Sequence, residues 1–216
     1  MKMTSCPDEK PPAYKNFDKS NLKCVLVGDT MVGKTCLAKR LASHGFSTVY
    51  NPTMFDNYAA TTTIDGKSFV LGLFDTAGQE EFDRLRTLAY VNCDVFLVCF
   101  SVMRPDSVKH AHDSWIREVR SHAPNVPCVL VGTHIDMRDD PSRSRGERKT
   151  SVSAHAQCVS TKEGMAAANK MGADSYVECS SLTEAGIIRL KEAAVDAVLN
   201  GVSPIDDDCK CACSIM

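Results

Sequence analysis

The stretch Gly28-Asp29-Thr30-Met31-Val32-Gly33-Lys34-Thr35 constrains this chain more than any other. It meets the spacing G-x-x-x-x-G-K-[ST] in full. It follows the apolar run Cys24-Val25-Leu26-Val27 and opens a segment with apolar residues at Leu37 and Leu41. A strand, a tight glycine-bearing turn and a helix start, in that order, make a phosphate-binding loop. Gly28 and Gly33 let the backbone wrap, so that successive N–H groups and a helix N-terminus face an anion. Lys34 brings a point charge to terminal phosphates, and the Thr35 hydroxyl is a hard oxygen of the kind magnesium prefers. Cys36 comes next; closeness to phosphates would lower its thiol pKa, whereas burial would leave it inert.

At 216 residues the chain suits one domain of ordinary size with appendages. Apolar and charged contents of 44% and 24% are those of a soluble globular protein. A net charge of −2 gives no electrostatic reason to expect nucleic acid as a partner. No apolar run approaches the ~18 residues that span a bilayer. The start shows no secretory pattern, and Lys2 stands where a myristoylation signal needs glycine. Eleven cysteines could suggest a disulfide scaffold, but Cys24, Cys93, Cys99, Cys128 and Cys179 fall in or beside strand-like apolar runs, where cysteine acts as a small hydrophobe. With no CxxC pair of zinc spacing, they read as thiols of a reducing compartment.

Residues 1–20, polar and carrying Pro7, Pro11 and Pro12, read as a mobile N-terminal extension. A helix to about Ser43 follows the phosphate loop, then a long loop over 46–58. YAATTTI and SFVLGLF read as strands joined by the Asp65-Gly66 hairpin turn. Strand and helix patterns then alternate: VFLVCFS, an amphipathic helix with Val108, Trp115, Ile116 and Val119, CVLVG, a helix near 161–171, SYVEC, and a helix from about 184 to 199. That alternation predicts an α/β fold: a mostly parallel six-stranded sheet with one antiparallel edge strand and helices on both faces. His110 and His112 stand two apart on their helix, so they face different sides and are poor metal ligands.

GDTMVGKT, the Thr53 loop, DTAGQE, Thr133-His134-Ile135-Asp136 and Cys179-Ser180-Ser181 occur in the order seen in small GTPases, and this resemblance covers about residues 22–200. YNPTMFDNY, LGLFDTAGQE, DMRDD and the final CSIM look like the Rho family, most like its cell-division-cycle branch, with Rac the near alternative. The resemblance implies a P-loop small-GTPase fold, with a GTP-binding domain over 21–200, an insert at 139–157 and a lipidated tail at 201–216. It implies GTP/GDP and Mg²⁺ as ligands. Thr53 would cap the γ-phosphate and complete the magnesium shell with Thr35. Asp75 resembles the carboxylate that reaches the cation through a water. The Gly78 N–H would reach the γ-phosphate, and Gln79 looks like the residue that orients the attacking water. Asp136 would accept two hydrogen bonds from guanine, a ring that adenine cannot imitate; a different P-loop class, an ATPase or nucleotide kinase, is disfavoured for that reason. Phe46 resembles the aromatic packed edge-on to the base, and the Ser180–Ser181 backbone would meet guanine O6. Tyr50, Thr53, Phe55, Asp56, Asn57 and Tyr58 would form the effector-binding surface.

Three residues depart from the family pattern. Thr30 stands where glycine is usual, at a crowded point shared by the γ-phosphate, the glutamine-held water and an incoming arginine finger. A β-branched side chain there would push Gln79 or the finger out of line, unless Met31 and the loop shift to accommodate it. His134 replaces a lysine whose stem would cover the base, which would lower nucleotide affinity. Ser181 replaces alanine with the backbone donor retained. The 139–157 segment, with Gly146, Arg143, Arg145, Arg148 and Lys149 among serines, reads as a solvated insert, with a phosphorylation or anionic-lipid site the alternative.

Cys213-Ser214-Ile215-Met216 fits C-a-a-X, and the final Met favours farnesyl. Asp206, Asp207 and Asp208 stand where a polybasic stretch would be, so Cys209 and Cys211 are the expected palmitoyl sites and second anchor. The resemblance thus implies a lipid-anchored switch on the cytoplasmic face of the plasma membrane or endomembranes, with a cytosolic pool. Its GTP form would recruit effectors that control the actin cytoskeleton and cell shape. Its other partners would be guanine-nucleotide exchange factors, a dissociation inhibitor, and GTPase-activating proteins whose effect Thr30 places in doubt. Two readings stay open: a cycling GTPase, supported by Gln79, and a GTP-loaded, hydrolysis-impaired binding module, supported by Thr30 and His134.

Overall fold

The computed structural model describes residues 19–46, 52–138 and 158–201. Residues 1–18, Tyr50, the 139–157 insert and the tail from 202, with Cys209, Cys211 and Cys213, lie outside the described residues.

Six strands, β1 (Asn21–Val27), β2 (Phe55–Ile64), β3 (Lys67–Thr76), β4 (Val95–Ser101), β5 (Cys128–Thr133) and β6 (Ser175–Glu178), form one sheet in the order β2-β3-β1-β4-β5-β6. Only the β2–β3 pair is antiparallel. The two are joined at Asp65-Gly66 with both residues at positive φ (46° and 78°), a primed turn that suits strand twist. β4 and β5 are buried at every position, as parallel strands covered on both faces must be.

The period of two divides β1 between two cores. Cys24 and Leu26 join Leu37 and Leu41 of α1 (Lys34–Leu41) and Leu190 and Ala194 of α7 (Ile187–Asn200). Val25 and Val27 join Trp115, Ile116 and Val119 on the opposite face. On that face one helical rod runs as α3 (Pro105–His110), a π-helical turn (Ala111–Trp115) and α4 (Ile116–His122). The remaining helices are α2 (Asp83–Leu88), entered through a 3₁₀ turn at Glu80–Phe82, α5 (Ile135–Arg138) and α6 (Thr161–Met171). α6 starts on a reciprocal Ser160–Glu163 capping box and stops at Gly172. No described helix is long and apolar enough to cross a membrane.

Three boundaries differ from the sequence reading. Phe55, Asp56 and Asn57 are not loop but the start of β2, paired with Thr76 through Phe74 of β3. Phe55 packs edge-on against Phe74 at 5.9 Å. α1 stops at Leu41 because Ser43 takes φ 62°, and α7 starts only at Ile187 because Glu184 and Gly186 have φ 67° and 74°. Cys24, Cys93, Cys99, Cys128 and Cys179 are buried and free, and burial pushes the thiols of Cys93, Cys99 and Cys128 up to about 12.

Candidate nucleotide site

The site gathers at the carboxyl ends of the parallel strands, beside the point where the chain crosses from the β1–β3 side of the sheet to the β4 side. Gly28 ends β1 at φ 142°, so close to β4 that a Cβ would lie 2.2 Å from the Cys99 carbonyl oxygen. The loop then turns through Met31, which is 66% exposed and held in the left-handed region at φ 64°, an outlier of the kind that clusters at functional sites.

Lys34 is buried, and its Nζ donates to the carbonyls of Gly28 at 2.7 Å and Asp29 at 2.8 Å. Burial lowers its pKa. The loop's own carbonyls thus hold the ammonium at the cavity wall. The Thr35 hydroxyl donates to Asp75 Oδ2 at 2.5 Å, which leaves the Thr53 hydroxyl as the donor in its 2.8 Å bond to Thr35. One hydroxyl thus joins the segment before β2, the end of β3 and the phosphate loop. Asp75 Oδ1 is buried with no hydrogen-bond partner among the described residues, and burial raises this carboxyl to about 6. Two hydroxyls and an under-satisfied buried carboxylate are a donor set that fits a hard cation such as Mg²⁺.

Thr30, Met31, Gly33, Lys34, Thr35, Cys36, Phe46, Thr53, Phe55, Asp56, Gly78, Gln79 and His134 line one cavity of about 610 Å³. Asn57 and Tyr58 lie further along β2. Gly78 lies against the loop itself: a Cβ there would sit 2.5 Å from the Thr30 nitrogen and 2.7 Å from the Gly28 carbonyl oxygen. Burial raises the Cys36 thiol, so it is not activated by its position.

Thr133, Asp136, Ser180 and Ser181 form a second group, tied to the first through β5. The Thr133 hydroxyl donates to the buried Val32 carbonyl at 2.6 Å. His134, at φ 63°, bonds through Nδ1 to the Ser101 hydroxyl at 3.0 Å, and its ring lies against Gly33, 3.1 Å from where a Cβ would stand. Burial lowers its pKa. The Ser180 hydroxyl donates to Asp136 Oδ1 at 2.6 Å.

Several residues around the site were not legible in the sequence. The Asp29 carboxylate turns away from the cavity and takes the Trp115 indole N–H at 2.7 Å and His110 Nδ1 at 2.7 Å. Arg104 donates to the Thr30 carbonyl at 2.9 Å. Arg86, only 3% exposed, donates to the carbonyls of Ala77 at 3.0 Å and Gln79 at 3.2 Å, pairs with Glu118, and stacks on Trp115 at 4.6 Å. In the sequence Trp115 is one apolar position of an amphipathic helix. The π-turn that ends at Trp115 has no sequence signal.

A glycine-wrapped loop at the end of β1, a buried lysine and a hydroxyl–carboxylate cation set define a P-loop nucleotide-binding domain. The sequence model of the Ras family matches residues 23–200, and the chain belongs to that family. Its members are small GTPases, switches that bind GTP and GDP, generally with Mg²⁺, and that work with exchange factors, activating proteins and effectors.

Proposed function

We propose that this chain is a Rho-branch guanine-nucleotide switch whose GTP form recruits cytoskeletal effectors and whose GTP hydrolysis is slow. The observation that carries the switch is the convergence of Thr53 and Asp75 on the Thr35 hydroxyl. Groups that meet at one point beside the terminal phosphates separate when the γ-phosphate leaves. Thr35, Thr53 and Asp75 would hold Mg²⁺, which supplies charge neutralisation on the phosphates. Lys34 and the Gly28–Gly33 backbone bind the phosphates, Gly78 senses the last of them, and Gln79 orients water. Phe46, Asp136, Ser180 and Ser181 receive the base. The Rho assignment rests on YNPTMFDNY, LGLFDTAGQE and CSIM. In this reading Tyr50 and Phe55 to Tyr58 present the effector surface, and Cys213 with Cys209 and Cys211 anchors the chain to cytoplasmic membrane faces.

Slow hydrolysis is favoured by how Thr30 is held. The loop escapes crowding only by moving, and three donors oppose that movement: Arg104 on Thr30, and Trp115 with His110 on Asp29. Gly78 closes the cavity side.

The test loads the full chain with GDP or a non-hydrolysable GTP analogue and presents Rho-type and Ras-type effector fragments. Capture by the Rho-type fragment in the GTP-analogue form alone supports the proposal. Capture independent of nucleotide, or by the Ras-type fragment alone, contradicts it.

A further inference from the structure

The loop that follows β6 is anchored by side chains from two elements. Ser180 is fully buried; its hydroxyl bonds to Asp136, and its N–H donates to the Ala185 carbonyl at 2.9 Å. The Ser181 carbonyl accepts from Arg40 Nε at 2.8 Å, and Arg40 Nη1 meets Glu184 Oε1 at 2.5 Å. Arg40 is 15% exposed on its side chain and sits in the last turn of α1, the helix whose first residues are Lys34 and Thr35. Glu184, at φ 67°, and Gly186, at φ 74°, shape the return of this loop, so its conformation is not one the chain adopts freely.

We propose that Arg40 is a positioning residue for guanine recognition: it fastens the base-reading loop to the phosphate-binding helix and so sets how long guanine nucleotide stays bound. The Ser181 N–H lies between two anchored groups, Ser180 on one side and its own Arg40-held carbonyl on the other. Removing the guanidinium frees the second anchor and lets the N–H wander from guanine O6. A charge-assisted fork to a carbonyl and a carboxylate suits arginine and is only partly replaced by lysine. α1 is short and rigid, about 12 Å long, so the phosphate and base ends keep a fixed separation through it. This inference rests on the reading that Ser181 meets the base.

The experiment measures release of GDP and of 6-thio-GDP from the full chain, as wild type, Arg40→Ala and Arg40→Lys. Sulfur in place of O6 is a weak acceptor, while the contacts to Asp136 remain. Arg40→Ala is expected to release GDP about tenfold faster and 6-thio-GDP about twofold faster or less, with Arg40→Lys between wild type and alanine. Unchanged GDP release in both variants would overturn the inference. So would equal acceleration of both nucleotides, which would make Arg40 a brace of the fold rather than of O6 recognition. Equal release of the two nucleotides from wild type would show instead that Ser181 does not meet the base, and the underlying reading would fail with it.

Discussion

The two groups of the proposed nucleotide site, the phosphate loop and the Asp136–Ser181 group, are held in different ways. At the phosphate loop the ligand-facing groups are mainly backbone, and side chains from the α3–α4 rod and from Arg104 just before it bond to the loop from behind. Trp115 and His110 take the Asp29 carboxylate, and Arg104 takes the Thr30 carbonyl. In the second group the Asp136 side chain takes the Ser180 hydroxyl, and the loop backbone is held by its own Ser180–Ala185 and Thr183–Ser180 bonds and, from outside the loop, by Arg40. The consequence shows in the family departures. His134 is absorbed, because its ring covers Gly33 and its Nδ1 finds Ser101. Ser181 keeps its backbone contacts. Thr30 sits in a segment held by bonds to Arg104, Trp115 and His110, which oppose a shift of the loop.

Changes on either side should therefore differ in size and kind. The largest effect is expected for Asp136→Ala, which removes the carboxylate proposed to separate guanine from adenine. Competition between GDP and ADP should fall from a preference of about 10⁴ toward about 10² or below, and an unchanged preference would remove Asp136 from recognition. Behind the phosphate loop, Arg86→Met strips a buried guanidinium: the Ala77 carbonyl loses its donor and Glu118 and Asp83 lose their cation, while Glu118 keeps the Tyr90 hydroxyl and the Gln79 carbonyl keeps the Phe82 N–H. Urea unfolding of the GDP-bound chain should show a loss of about 3 kcal/mol, and full retained stability would show the cluster to be dispensable.

A smaller effect is expected with pH. Burial holds His134 below its ordinary 6.5, so the unfolded chain takes up this proton first. Stability from this group is present above pH 6.5 and is lost as pH falls below it toward the lower folded value. Urea midpoints between pH 7.5 and 5.5 should drop less for His134→Gln than for wild type; equal drops would place the titration elsewhere. The smallest effect is expected for Ser181→Ala, whose GDP release should stay within about twofold of wild type because the N–H and the Arg40-held carbonyl survive. A tenfold change would mean that the hydroxyl itself takes part.

Much of this was legible where chemistry is local. The Gly28–Thr35 spacing, the Asp65-Gly66 turn and the apolar strands each carry their own signal, and the sheet follows from them. The family resemblance groups Thr53 and Asp75 with Thr35, and the fold brings both to the Thr35 hydroxyl. The start of β2 was not legible, because Asp56 and Asn57 are exposed on an edge strand and break the apolar alternation. Arg86, Trp115 and Arg40 were hidden for another reason: their partners lie 32, 86 and 141 residues away, and no short pattern marks them. The sequence shows which groups could meet a nucleotide. The fold shows which of them are free to move.

The claim that Thr30 is locked rather than accommodated is tested most directly by single-turnover GTP hydrolysis with Mg²⁺, with and without a Rho-type activating protein, on the full chain and on Thr30→Gly. The account predicts that the activating protein accelerates the glycine variant at least ~10²-fold more than the wild type. Equal acceleration of both would contradict it and would make this an ordinary cycling GTPase.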